Sequence, residues 1–172
     1  MILNNYFKNI IYGGIDGIIT MFNIIAGIKG GGLKYYVILI VGVAALFSDA
    51  VSMGFSSFLS EKAHNIFLRK NKKKDLNENN NENEYLHGLT TFISFIIFGS
   101  IPLITYLLTK NINNSFMITV FSTVFSLFIL GIFQSYYTEQ KWYMASFSLI
   151  IYGLIAAFIS YTIANKISKY VN

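Results

Sequence analysis

Five apolar segments, each near the roughly 20 residues a bilayer crossing requires, take up most of this chain. Their limits fall near Ile10–Ile28, Tyr36–Leu59, His87–Leu108, Phe116–Tyr137 and Trp142–Ala164. Lipid offers the backbone no hydrogen-bond partner, so each span must satisfy its own N–H and C=O groups as a helix. The expected fold is an all-α integral membrane protein of five transmembrane helices. A hydrophobic fraction of 54% with only 12% charged residues agrees, since both lie outside the soluble norm. The 172 residues make one transmembrane domain over 1–172, closed by helix against helix and helix against lipid. The first segment holds Asp16 and Asn23 and is followed by four more spans, so it reads as a retained helix and not as a cleaved signal.

Orientation follows from the basic residues. Lys8, Lys62, Arg69, Lys70, Lys72, Lys73, Lys74 and Lys141 fall on one side, and Lys29, Lys34, Lys110, Lys166 and Lys169 on the other. Eight against five places the amino terminus in the cytosol, the carboxyl terminus in an extracellular or lumenal space, and the polar linker 61–84 in the cytosol. The net charge of +5 is gathered at that linker beside spanning helices, where topology accounts for it. The expected partner is therefore the lipid bilayer and not nucleic acid. The linker acids Asp75, Glu78, Glu82 and Glu84 alternate with Asn behind a lysine run, a composition that favours a flexible, solvated strand. Lys29-Gly30-Gly31-Gly32-Leu33-Lys34 forms a tight turn that makes helices one and two antiparallel neighbours.

Two carboxylates lie inside the spans: Asp16 in helix one and Asp49 in helix two. A charged side chain near the bilayer centre costs roughly 2.5 to 3.5 kcal/mol on insertion scales, so it faces a bundle interior, a water-filled path or an ion. On helix one Asp16, Thr20, Asn23 and Gly27 share a face, and on helix two Asp49, Ser52, Met53 and Ser56 do the same. Counted from the segment ends at 1.5 Å per residue, Asp16 and Met53 both sit roughly 9 Å from the cytosolic face, with Asp49 at about 15 Å. Facing stripes make a hydrophilic route. Oxygen and thioether ligands together suit a first-row divalent ion such as Fe²⁺ or Mn²⁺ better than Mg²⁺ or Ca²⁺. Other readings stand open beside this one. Methionine in an apolar helix is more often filler than ligand; Asp49 also fits a hydroxyl-bonded structural role; and Asp16 fits simple hydration from the cytosol.

The stretches Asp16-Gly17-Ile18-Ile19-Thr20, Ser48-Asp49-Ala50-Val51-Ser52-Met53-Gly54 and Ser60-Glu61-Lys62 resemble the first two helices of the vacuolar iron transporter family. His87-Gly88-Leu89-Thr90-Thr91-Phe92-Ile93-Ser94-Phe95, with Gly99 and Ile101-Pro102-Leu103, is similar to its third helix. The resemblance implies a five-helix protomer acting as a homodimer, which exports Fe²⁺, and in some relatives Mn²⁺, from the cytosol into a vacuole or out of the cell in exchange for protons. It also implies that Asp16 and Met53 lie on the ion path at a dimer interface formed through helix one. The chain departs from the family at two places. Ser57 stands where many relatives carry an acid, and a short linker replaces the long Glu- and Met-rich cytosolic metal-binding insertion, which reads as absent.

Lesser features complete the expectations. Gly13 and Gly17 form a small-xxx-small pair consistent with a helix-one dimer contact. Glu61 continues the helix-two stripe toward the cytosol, where it either guides cations or pairs with Lys62 or Arg69. His64 and His87 flank the linker, and lone histidines at membrane ends are more often hydrogen-bonded than metal ligands. The chain has no cysteine, which leaves carboxylate, thioether, imidazole and amide groups as its metal chemistry. With no Gly-rich phosphate loop and no nucleophile–base pair at one depth, the expected function is a gradient-driven transporter and not an enzyme. The metal is expected as cargo, with no permanently bound cofactor. The alternative is a non-transporting membrane subunit or scaffold with the same fold. Vacuolar and plasma membranes remain equally open.

Overall fold

A computed structural model of the protein describes residues 2–71, 83–109 and 112–171. Its five helices are α1 (Ile2–Gly30), α2 (Tyr35–Asn71), α3 (Glu84–Leu108), α4 (Ile112–Thr138) and α5 (Trp142–Val171). All five are long and apolar enough to cross a membrane. Each contains the segment expected from the sequence, but α2 does not stop at Leu59. It continues to Asn71, because the polar stretch after Leu59 contains no Gly or Pro to end it. At about 55 Å it is far longer than a hydrocarbon core of about 30 Å. The first half of the expected linker is therefore helix, Glu84 opens α3, and residues 72–82, with the lysine run and Asp75, Glu78 and Glu82, lie outside the described residues.

Helix α1 is the axis of the bundle. It touches all four other helices and packs most extensively on α3, while α2–α3, α3–α4 and α4–α5 form the neighbouring pairs around it. Among the described residues α2 meets neither α4 nor α5, so the ring around α1 is open on one side. Met21, Ile25 and Ile28 of α1 pack with Ile38, Leu46 and Ala50 of α2 and Phe95, Leu103 and Tyr106 of α3 in the largest core cluster. Ile18 packs with Leu127 and Leu130 of α4, and Phe22 and Ala26 with Ala157 of α5. The large exposed side chains of α4 and α5, such as Phe121, Phe125, Tyr152 and Phe158, are those that lipid would cover.

The α1–α3 contact depends on Gly13 and Gly17. A Cβ at Gly13 would lie 2.7 Å from the Thr91 carbonyl oxygen, and one at Gly17 would lie 2.6 Å from that of Phe95. The glycine pair expected at a dimer contact is thus spent inside the protomer. Its spacing signals close approach of some helix but does not say which one.

Several hydroxyl groups in the spans are satisfied within their own helix. Thr105, Thr119, Ser126, Ser148 and Thr162 each donate to the carbonyl four residues earlier at 2.7 to 2.8 Å, which spares them an unpaired polar group in lipid. The α1–α2 turn ends α1 in a Schellman motif: Leu33 N donates to Ile28 O at 3.1 Å and Gly32 N to Lys29 O at 3.1 Å, with Gly32 at φ +67°. Gly32→Ala forces a Cβ into this left-handed conformation and is expected to cost about 1 kcal/mol, read as a lowered thermal midpoint in detergent.

Candidate functional site

The open side of the ring exposes the seam between α1 and α2. Its register is fixed at the end nearer the linker, where Asn9 Nδ2 donates to Ser57 Oγ at 2.8 Å. Seven residues along α1 from Asn9 reach Asp16, and seven back along antiparallel α2 from Ser57 reach Ala50, beside Asp49. Asp16 is therefore level with Asp49, and Met53 lies roughly one turn nearer the linker end. Counting from the apolar limits instead put Asp16 level with Met53; the two counts differ because both helices run past those limits.

The two carboxylates are close enough for their charges to interact, and Thr20 stands one turn along α1 from Asp16. Both aspartates are half-buried, as an ion-binding group at the edge of a bundle would be. Along α1 the expected stripe holds: Asp16, Thr20, Asn23 and Gly27 are all half-buried. Asn23 Oδ1 is buried without a hydrogen-bond partner among the described residues, while the Asn23 carbonyl accepts the Ser160 hydroxyl of α5 at 2.8 Å. A buried acceptor of this kind costs free energy unless water or a cation meets it.

The stripe on α2 is different from the one expected. Ser52 and Ser56 are exposed together with Ser48 and Ser60, on the outer face of the helix. The half-buried series is Asp49, Met53, Ser57 and Glu61, at four-residue steps of about 6 Å. Met53 packs against the core cluster shared by α1, α2 and α3. Both series satisfy helical periodicity, and only the position of α1 and α3 selects between them.

Ser57 belongs to a polar knot tying three helices. Asn9 Nδ2 also lies 3.0 Å from the His87 carbonyl and 3.0 Å from Thr91 Oγ1; Thr91 donates to Ser57 Oγ at 3.0 Å; and Asn9 Oδ1 sits 3.3 Å from His87 Nδ1. The buried His87 ring also packs against Tyr6, with ring centroids 4.6 Å apart. No local pattern signals this knot, because the bonds that join its helices link positions 34 to 82 apart. Asn9→Ala strands several of these partners at once and is expected to cost about 1 to 3 kcal/mol, seen as a lower unfolding temperature with helical content retained.

Beyond the knot, Glu61 and His64 of α2, His87 of α3 and Tyr137 of α4 line a cleft of about 400 Å³. Glu61 faces this cleft; Lys62 instead reaches over the Phe58 ring, 5.8 Å from its centroid. No group of three His, Asp or Glu side chains among the described residues is arranged to hold a metal ion together.

The chain is similar to known proteins over most of its length. The profile of the VIT family matches residues 7–85 and 62–165, nearly the whole chain in two overlapping pieces. The chain is 29% identical to a vacuolar iron transporter of Plasmodium berghei, over 91% of this chain and 80% of the relative. It is 28% identical to one of Plasmodium falciparum, over 94% and 84%, and 21% identical to vacuolar iron transporter 1 of Arabidopsis thaliana, over 93% and 85%. The aligned spans of 220, 228 and 213 positions are longer than the chain itself, so these relatives carry residues within the matched region that this chain lacks. The two profile pieces overlap at 62–85, the segment joining α2 to α3.

Proposed function

This chain belongs to the vacuolar iron transporter (VIT) family, and from that premise we propose that it moves Fe²⁺, with Mn²⁺ as a second cargo, out of the cytosol along the α1–α2 seam. It is a multi-pass membrane protein and a metal transporter by family. The observation that carries the finer reading is the pairing of Asp16 with Asp49 at one level on the uncovered side of the bundle. Two carboxylates match the charge of one divalent ion, and Met53 one turn away supplies a softer ligand that favours a transition metal over Mg²⁺. Exchanging the metal for protons leaves the charge of the seam unchanged, which is the physical basis for antiport. The linker end, with its lysines, is taken as cytosolic.

A second copy of the chain would complete the path. The outer face of α2 carries exposed Ser48, Ser52, Ser56 and Ser60, small side chains that allow a partner helix to approach, and exposed Tyr12 of α1 lies beside the same opening. A homodimer joined there would bring two Asp16–Asp49 pairs together, with α1 reaching the interface through Tyr12 and Asp16 instead of its glycines.

The test is Fe²⁺ and Mn²⁺ uptake into proteoliposomes, with and without an imposed pH gradient. Wild-type protein is expected to carry both ions and to respond to the gradient. Met53→Ala is expected to weaken Fe²⁺ more than Mn²⁺, since the thioether is the softer ligand. Flux no greater than in empty liposomes would leave the scaffold alternative standing.

A further inference from the structure

Above the knot, the cleft where α1, α2, α3 and α4 converge carries metal-ligating groups that the seam does not use. Glu61 and His64 are three residues apart on α2, so they project from the same side of the helix. His87 forms the opposite wall, its ring fixed by Asn9 Oδ1 at 3.3 Å and by Tyr6. His64 is exposed and Glu61 half-buried, so one ligand meets solvent while the other faces inward. Lys8 also lines the cleft, and its ammonium is drawn toward the Tyr12 ring, 6.0 Å from the centroid.

We propose that this cleft is an acceptor site for a divalent transition-metal ion, held by the Glu61 carboxylate and the His64 imidazole with His87 as the facing wall. The proposal rests on the transport reading and gives the cargo a first landing place. A carboxylate with imidazole suits first-row divalent ions and is a poor set for Ca²⁺. Glu61 is also the outermost member of the series Asp49, Met53, Ser57, Glu61, so an ion leaving the cleft meets those groups in turn at steps of about 6 Å. A site of two protein ligands with water completing the shell matches the lack of a three-ligand cluster among the described residues. It also meets the requirement that a conduction site bind well enough to admit an ion and weakly enough to release it. Relatives hold extra residues within the matched region; here α2 itself, extended past the apolar span, supplies the ligands.

The experiment compares wild type, Glu61→Gln/His64→Ala and Asp16→Asn as full-length protein in detergent, with Mn²⁺ alone as probe and its electron paramagnetic resonance signal reporting free ion. The double variant removes both protein ligands and is expected to weaken Mn²⁺ binding at the cleft by more than about tenfold, the least that disturbing even a metal's supporting groups costs, whereas Asp16→Asn keeps the cleft population. In liposomes the double variant raises the half-saturating Fe²⁺ concentration by a similar factor and keeps the maximal rate. Mn²⁺ affinity and half-saturation equal to wild type in the double variant would overturn the site. So would loss of all binding in Asp16→Asn. If wild type binds Mn²⁺ through Glu61 and His64 but carries no flux, the transport reading fails and the acceptor site stands.

Discussion

Asp16→Asn and Asp49→Asn are each expected to lower Fe²⁺ flux by about two orders of magnitude, equivalent to about 2.8 kcal/mol at 1.4 kcal/mol per decade. The scale is set by the charge removed. A unit charge pair 4 Å apart is worth about 4 kcal/mol at an effective dielectric of 20, and a divalent ion in the seam interacts with both aspartates at once. Asparagine keeps the shape and hydrogen-bonding capacity of either side chain but removes the charge, and with it the repulsion between the two. The variants should therefore unfold at or above the wild-type temperature while losing transport, a combination that poor folding cannot produce. Because the carboxylates act on one ion, the double variant should lose little beyond either single one. Flux preserved in Asp49→Asn together with a lowered unfolding temperature would instead assign Asp49 to holding the helices together.

Gly17→Val is expected to be the most damaging substitution for the fold. Even a Cβ at Gly17 would approach the Phe95 carbonyl oxygen to 2.6 Å and Gly99 N to 3.1 Å, and backbone atoms cannot rotate aside as a side chain can. The helices would have to part along the largest contact of the bundle, between α1 and α3. Overpacking of this kind costs about 1 to 3 kcal/mol where the surroundings relax, and more where they do not. Loss of the monodisperse species on size exclusion in detergent, with no folded fraction recovered at low temperature, is the expected outcome. Gly31→Ala is the control, since a Cβ there meets nothing closer than 3.5 Å, and it should remain folded.

The fold was legible because membrane spans are written in composition over about 20 residues, a signal too long to be disturbed by local exceptions. The carboxylate clue was equally plain, since Asp16 and Asp49 stand alone in apolar surroundings. What stayed hidden was relative placement. Ser52 and Ser57 are both compatible with the face that carries Met53, and only the neighbours of α2 show that one points outward and the other into the knot. The level of Asp16 relative to α2 depends on where counting starts, because polarity marks where the bilayer ends and not where a helix ends. Gly13 and Gly17 announced a close contact without naming α3. The knot of Asn9, Ser57, His87 and Thr91 depends on pairings between distant positions, which no periodicity encodes.

The missing neighbour of α2 has a mechanical consequence. The inner side of this helix is held along its length, by Asn9 and Ser57 at one end, by Leu46 and Ala50 against Phe95 and Leu103 in the middle, and by the turn at Gly31 and Gly32 at the other. Its other side meets neither α4 nor α5 among the described residues. Whatever lies against that side, lipid or a partner helix, therefore rests on a wall already fixed from within. It can seal the seam beside Asp49 without displacing any contact of the protomer.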